Sequence, residues 1–248
     1  MNRLDIELVQ RGLCETREQA SRAIMAGTVR VNQQVAQKAS QKVKADDTIE
    51  VSGGERYVSR GGFKLEHALK EFAIDAKNKV ALDLGASTGG FTDCLLQHGA
   101  AKVYAVDVGH GQLAWKLRND PRVVVMEQLN ARSLTRSHFP SEFGAADLVT
   151  IDCSFISLRK IIPAAIPLLR NGGQIIALIK PQFEAGKAEA DKTRGVIKDP
   201  AIHQRVLSEI KEFISDQPEL AWKAMIESPI LGPAGNKEFL ALIDKSSG

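Results

Sequence analysis

Apolar positions follow two rhythms along the chain. Through residues 1–51 they are short and locally periodic: Leu4, Leu8, Val9 and Leu13 form one helical stripe closed by Gly12. Thr16-Arg17-Glu18-Gln19 has the form of a capping box and starts a second helix through Ala20, Ala23 and Ile24 to a stop at Gly27. Thr28–Val31, Val35 and Thr48–Val51 then alternate as strands, with turns at Asn32-Gln33 and Asp46-Asp47. Ser52-Gly53-Gly54 breaks the pattern, so 52–60 is predicted as a linker between a small module, 1–51, and a larger domain, 61–248.

In the larger part, apolar runs of strand length alternate with helical stripes. Strands are predicted at 80–84, 102–106, 123–127, 146–151, 173–179, 222–228 and 237–243, and helices at 63–72, 90–98, 111–117, 156–170 and 200–215. This alternation predicts an α/β fold with a doubly wound, mostly parallel seven-stranded sheet. The Pro/Gly-rich stretch Ser228 to Asn236 predicts an antiparallel finish.

Composition narrows the class. With 248 residues, 44% hydrophobic and 25% charged, the chain suits a soluble globular protein of one large core or two domains. Its longest apolar stretches, Gln174 to Ile179 and Ile161 to Leu169, fall short of the ~20 residues of a membrane helix. Acids within the first turn replace the apolar block of a signal peptide, which predicts a cytoplasmic protein. Cys14, Cys94 and Cys153 lie far apart, and His67, His98, His110, His138 and His203 show no ligand spacing, so neither a disulfide framework nor a metal site is expected. The net charge of +3 lies in residues 1–64, which hold 11 Lys+Arg against 8 Asp+Glu. A surplus of that size supports nucleic-acid binding only weakly.

Ala81-Leu82-Asp83-Leu84-Gly85-Ala86-Ser87-Thr88-Gly89-Gly90-Phe91 carries the first candidate chemistry. A buried strand breaks into a turn where Gly85, Gly89 and Gly90 let backbone approach a ligand, and Asp107 ends the next strand, where an acid can hold both hydroxyls of a ribose. Ser87 stands where a dinucleotide fingerprint has its second glycine, the residue that admits a pyrophosphate. S-adenosylmethionine has no phosphate and carries an ammonium and a sulfonium, which an acid near the turn favours. The methyl donor is therefore preferred over a dinucleotide. Beyond the strand ends lie Asp152, Lys180 and Glu238, and Lys64 lies on the helix that opens the domain. Each alone reads equally as a paired surface charge, but together they form a set of alternating sign at the end of the sheet where ligands bind.

Two resemblances give these residues roles. Arg3-Leu4-Asp5, Thr16 to Ala20 and Ile24 to Asn32 resemble the S4-like RNA-binding domain, which implies that Arg3, Arg11, Arg17, Arg22 and Arg30 dock RNA phosphates. Lys64, Asp152, Lys180 and Glu238 resemble the Lys-Asp-Lys-Glu tetrad of the FtsJ-like ribose 2′-O-methyltransferases. With the N-terminal module, Ser59 to Leu65, Asp83 to Asp93, Asp107 to Gly109, Asp147 to Ser157, Leu178 to Glu184 and Ser228 to Glu238, the whole chain resembles the TlyA (hemolysin A) family of ribosomal RNA methyltransferases.

That resemblance implies a Rossmann-like class I methyltransferase domain behind a small α+β module, and methyl transfer from S-adenosylmethionine to a ribose 2′-hydroxyl of ribosomal RNA, at a cytidine. It implies that Asp83, Gly85, Ser87, Gly89 and Gly90 line the methionine part, that Asp107 takes the ribose and that Asn130 flanks the adenine. Lys180 is then expected to orient the hydroxyl or, if neutral, to accept its proton. A free lysine titrates near 10.4 and Asp152 favours the ammonium, so orientation is the preferred role. Lys64 is expected to steer a phosphate or the ribose and Glu238 to hold the lysines. Arg60 and Asp93 read as RNA-facing, supporting or merely solvated groups, and Glu184 to Asp199 as a lid or a plain loop. A non-catalytic RNA-binding or ribosome-assembly protein with a retained pocket is the alternative. A membrane-active hemolysin rests on the family's name alone.

Overall fold

A computed structural model describes residues 2–25, 28–51, 56–186, 189, 193, 195–232 and 235–247. The chain divides into two compact units, Met1–Arg56 and Tyr57–Gly248.

The first unit runs β1 (Asn2–Arg3), α1 (Leu4–Gln10), α2 (Arg17–Met25), β2 (Val29–Val31), β3 (Gln34–Val35), β4 (Lys42–Val43) and β5 (Ile49–Val51). Leu4, Leu8, Ala20, Ile24, Val29 and Val43 close its core, so the helical stripes read from the sequence are its buried faces. The hairpin turn places Asn32 and Gln33 at φ 48° and 68°. Two successive left-handed residues match the twist of the flanking strands, which is why a two-residue turn connects them. Strands β1 and β4 pair antiparallel over two residues each and carry no sequence signal of their own. The predicted helix stop, Gly27, lies outside the described residues.

The second unit runs α3 (Gly61–Glu71), β6 (Val80–Leu84), α4 (Gly90–Gln97), β7 (Lys102–Val106), α5 (Trp115–Arg118), β8 (Val123–Met126), β9 (Ala146–Ile151), α6 (Leu158–Ala165), β10 (Leu169–Ile179), α7 (Pro181–Glu184), α8 (Pro200–Ser215), β11 (Leu220–Glu227) and β12 (Phe239–Lys245). The sheet order is β11-β12-β10-β9-β6-β7-β8. Strands β6 to β10 pair in parallel, whereas β12 is antiparallel to both neighbours. Alternate residues feed two cores, one per face: Leu82, Leu84 and Val149 with Ile161 and Ile210 on one, Ala81 and Leu148 with Leu65 and Leu95 on the other. Because β12 is reversed, its first residues lie at the end of the sheet where the parallel strands finish.

Three elements differ from the sequence reading. The predicted linker is shorter: Ser52–Glu55 lie outside the described residues, but Tyr57 is fully buried in the second unit and the Val58 amide donates to Asp93 at 2.8 Å. The helix predicted over 111–117 is reduced to Trp115–Arg118, because the Gly111 and Gln112 amides donate to the Glu127 carboxylate instead of entering a helix. The helix predicted over 156–170 ends at Ala165, and β10 already begins at Leu169. Among the described residues, no helix is long and apolar enough to cross a membrane.

Candidate active site

At the carboxyl end of β6 the chain turns through Gly85, at φ 85°. A Cβ there would lie 2.8 Å from the Asp152 carbonyl oxygen, so this glycine lets the turn cross the end of β9. At Gly90 a Cβ would meet Ser59 Oγ at 2.3 Å. The bare backbones of Gly85 and Gly90 thus lie against neighbouring chain segments while both residues also line an opening beyond the strand ends. Gly89 faces Leu113 and Leu117. Ser87 has a left-handed φ of 49°, its amide donates to Asp107 Oδ2 at 2.8 Å, and the Gly109 amide donates to Asp107 Oδ1 at 2.7 Å. The Asp107 carboxylate is thereby fixed on the wall of a cavity of ≈ 740 Å³, which Gly85, Ser87, Asn130 and Asp152 also line. Asn130 caps the short 3₁₀ turn Ala131–Ser133 by accepting from the Arg132 amide.

Asp83 lies beneath this turn and is not among the residues lining the cavity. It is fully buried, and its oxygens accept from Thr92 Oγ1 at 2.7 Å and Thr150 Oγ1 at 2.9 Å. Burial pushes its carboxyl up to about 6, against the opposing effect of the threonine hydrogen bonds. The expected direct contact of Asp83 with a methionine moiety is therefore replaced by a role in holding β9 and α4 to the strand that carries the turn.

A second opening of ≈ 270 Å³ shares Gly85, Ser87, Asp152 and Ser154 with the first and adds Arg60, Lys64 and Lys180. Lys180 Nζ lies 2.6 Å from Asp152 Oδ1 and donates to Ser154 Oγ at 2.9 Å. Lys64 Nζ donates to Glu238 Oε2 at 2.5 Å, and both side chains are buried. The two lysines thus meet different acids, and Glu238 holds Lys64 alone. Glu238 Oε1 has no hydrogen-bond partner among the described residues, and Gly232 packs over it so closely that a Cβ would lie 2.1 Å away. A carboxylate shut in this way keeps the Lys64 amine close, since separating them would leave an unpaired buried charge.

The FtsJ-like methyltransferase family model matches residues 57–245, and the S4 domain model matches residues 2–49. YqxC of Bacillus subtilis is 52% identical over 96% of this chain and 84% of its own. The 16S/23S rRNA (cytidine-2′-O)-methyltransferase TlyA of Mycobacterium tuberculosis is 46% identical over 96% of this chain and 87% of its own. The chain belongs to the TlyA (hemolysin A) family. A solved structure from Streptococcus thermophilus named a hemolysin agrees with this TlyA-family chain at TM-score 0.76 and 44% identity, covering 100% of this chain and 89% of that one.

Elsewhere in this TlyA-family chain the sequence candidates separate. Arg3 and Arg17 both bond the buried Asp5, whose carboxyl they hold down at about 2, with the Arg3 hydrogen bond the largest cause. Arg11 is a brace: it pairs with Glu7 and donates to the carbonyls of Lys44, Ala45 and Asp47, which corrects its placing among free phosphate donors. Arg30 donates to the Gln33 carbonyl, and Arg22 lies in the last turn of α2. Asp93 is buried between Val58, Gln97 and Lys116, so a solvated role is excluded. His203, on α8, is also buried and bonded to the Ile197 carbonyl.

Part of the predicted lid, Glu184 to Asp199, lies outside the described residues. Its first residue is anchored to Ser157 and Leu158, and its later part to Asn236, which bonds Gly195 and Ile197. Phe155 was not singled out from the sequence. It is 88% exposed at φ 63°, lines the larger cavity, and sets its ring 4.9 Å from that of Phe183. Its only sequence signal is an aromatic residue just after a strand end.

Proposed function

We propose that this chain transfers a methyl group from S-adenosylmethionine to a ribose 2′-hydroxyl of ribosomal RNA, at a cytidine. The observation that carries the reading is the Lys180–Asp152 pair on the opening that also holds Lys64 and Arg60 and joins the cavity walled by Asp107. The donor set fits the methyl donor: a fixed carboxylate at Asp107 accepts from a ribose diol, Asn130 stands on the same wall for the adenine, and Asp152 supplies negative charge where the two openings meet. When bound, that cofactor supplies an electrophilic methyl group on a cationic sulfur.

The protein's task is then alignment and charge. Lys180, held by Asp152 and Ser154, presents an N–H to the nucleophilic oxygen. Lys180 therefore orients the hydroxyl and stabilises negative charge on the oxygen as its proton passes to solvent water. Lys64, braced by Glu238, meets a phosphate or the ribose of the entering strand. The exposed Phe155 ring offers a surface on which a base can stack. Arg3, Arg17, Arg22, Arg30 and Arg60 supply phosphate contacts that position an RNA without reading its sequence. The TlyA named above is a 16S/23S rRNA (cytidine-2′-O)-methyltransferase, which supports the same substrate here.

The test uses tritiated methyl donor with small subunits, large subunits and deproteinised ribosomal RNA, beside Lys180→Ala. Alkali-resistant label on one substrate, lowered on the order of 10³-fold in the variant, is the expected result. Cofactor binding without label on any substrate would replace the reading with a non-catalytic RNA-binding protein.

A further inference from the structure

Two segments run side by side at the active site, joined by three contacts. The turn after β9, Asp152 to Ser157, lies along Lys180 and α7. At one end Lys180 bonds Asp152 and Ser154. In the middle the Phe155 and Phe183 rings meet. At the other end Glu184 Oε2 accepts from Ser157 Oγ at 2.6 Å, and Glu184 Oε1 accepts from the Leu158 amide at 2.8 Å. Glu184 is buried, which raises its carboxyl above the usual range, and its charge lies against the first amides of α6. Lys180 is the N-cap of α7 and Glu184 its last residue, and both side chains bond the same neighbouring turn. The turn itself has a reason to move, because Phe155 holds a left-handed backbone that a bulky residue adopts only under constraint.

We infer that Glu184 is a positioning residue for the reaction: it pins the far end of the Asp152–Ser157 turn to α7 and so fixes Asp152, Ser154 and Phe155 relative to the Lys180 amine. Loss of this pin lets α7 and the turn shift against each other. A displacement of about 1 Å in the group that orients a nucleophile is enough for a 10²-fold loss of rate. The kinetic part of this inference rests on the methyl-transfer reading above.

Glu184→Ala, Glu184→Gln and Ser157→Ala in the full chain test it, with two readouts. In methyl transfer to ribosomal RNA, Glu184→Ala should lower kcat on the order of 10- to 100-fold while the dissociation constant for S-adenosylmethionine changes less than about threefold. Glu184→Gln keeps an acceptor for Leu158 and should recover most of that loss. Adding Ser157→Ala to Glu184→Ala should cost little more, since both remove one contact.

The second readout needs no activity. Cys153 lies in the pinned turn, and burial pushes its thiol up to about 12, so it alkylates slowly. Glu184→Ala should raise iodoacetamide labelling of Cys153 roughly tenfold, with the buried Cys14 and Cys94 unchanged. Equal kcat with unchanged Cys153 labelling would overturn the assignment. So would a parallel rise at all three cysteines, which would make Glu184 a general structural residue. A wild-type protein that transfers no methyl group would remove the reading above, and the Cys153 result would still decide whether Glu184 holds the turn.

Discussion

Two of the molecule's buried aspartates, one in each unit, have opposite surroundings. Asp5, in the small unit, meets two guanidinium groups whose side chains remain 40% and 60% exposed, and its carboxyl is held at about 2. Asp83, under the cavity turn of the large unit, meets the Thr92 and Thr150 hydroxyls and the Thr92 backbone, and burial pushes it up to about 6. A small core lies close to its own surface, so cations can reach a buried acid while their outer faces stay in water. The centre of a seven-stranded sheet admits no such cation, and the acid is held by neutral donors. The first arrangement makes a permanent charge that organises a basic face, and the second makes a strut whose ionisation burial opposes.

The largest way to sharpen this contrast is to remove the strut. Asp83→Ala strands the Thr92 and Thr150 hydroxyls and should cost about 3 kcal/mol in calorimetric unfolding of the full chain. Asp83→Asn keeps an acceptor without a charge and should restore more than half of that at pH 7. Equal losses would show that the charge, rather than the hydrogen bonds, holds the turn.

Changing pH has the next largest effect. The carboxyl of Asp83 titrates higher folded than unfolded, so its contribution is full below about 3.8 and is lost as pH rises through about 6. Wild type should therefore gain roughly 1 kcal/mol over Asp83→Asn when pH falls from 7 to 5. A gain in the other direction would break the comparison.

The smallest effect belongs to Asp5. Its arginines stay solvated without it, so Asp5→Asn should cost no more than about 1 kcal/mol near neutrality. Since the folded value lies below the unfolded 3.8, that contribution is constant above pH 4 and fades only as pH falls through about 2. The same variant should weaken RNA binding more than it weakens folding, because Arg3 and Arg17 lose their common anchor.

The sheet was legible because its strands are continuous apolar runs that pack on both faces, and its helices because each shows one stripe. Lys64, Asp152, Lys180 and Glu238 were legible as a set of charges at the end of the sheet, and so was Asp152 beside Lys180; that Glu238 meets Lys64 alone was not, because it depends on where the reversed β12 begins. Asp83 misled because an acid near a glycine turn looks the same in sequence whether it faces a cavity or a pair of threonines. Tyr57 to Arg60 read as linker because the glycines beside them dominate the local pattern, while the burial of Tyr57 depends on Gly62, whose absent side chain leaves room for the ring. Glu184 was read as the start of a loop, since nothing in its own neighbourhood announces Ser157.

The reversed strand also sets an order in time. Lys64 and Glu238 stand 174 residues apart in sequence, and they meet only when β12 has been inserted between β10 and β11. A ribosome making this protein releases Lys64, the glycine turn and Lys180 before it has joined the residues that complete the sheet. Until then the nascent chain holds a buried-side lysine without its acid and a sheet with an open edge. The enzyme that is proposed to modify ribosomes thus completes its last lysine–acid pair only after the ribosome that makes it has reached that strand.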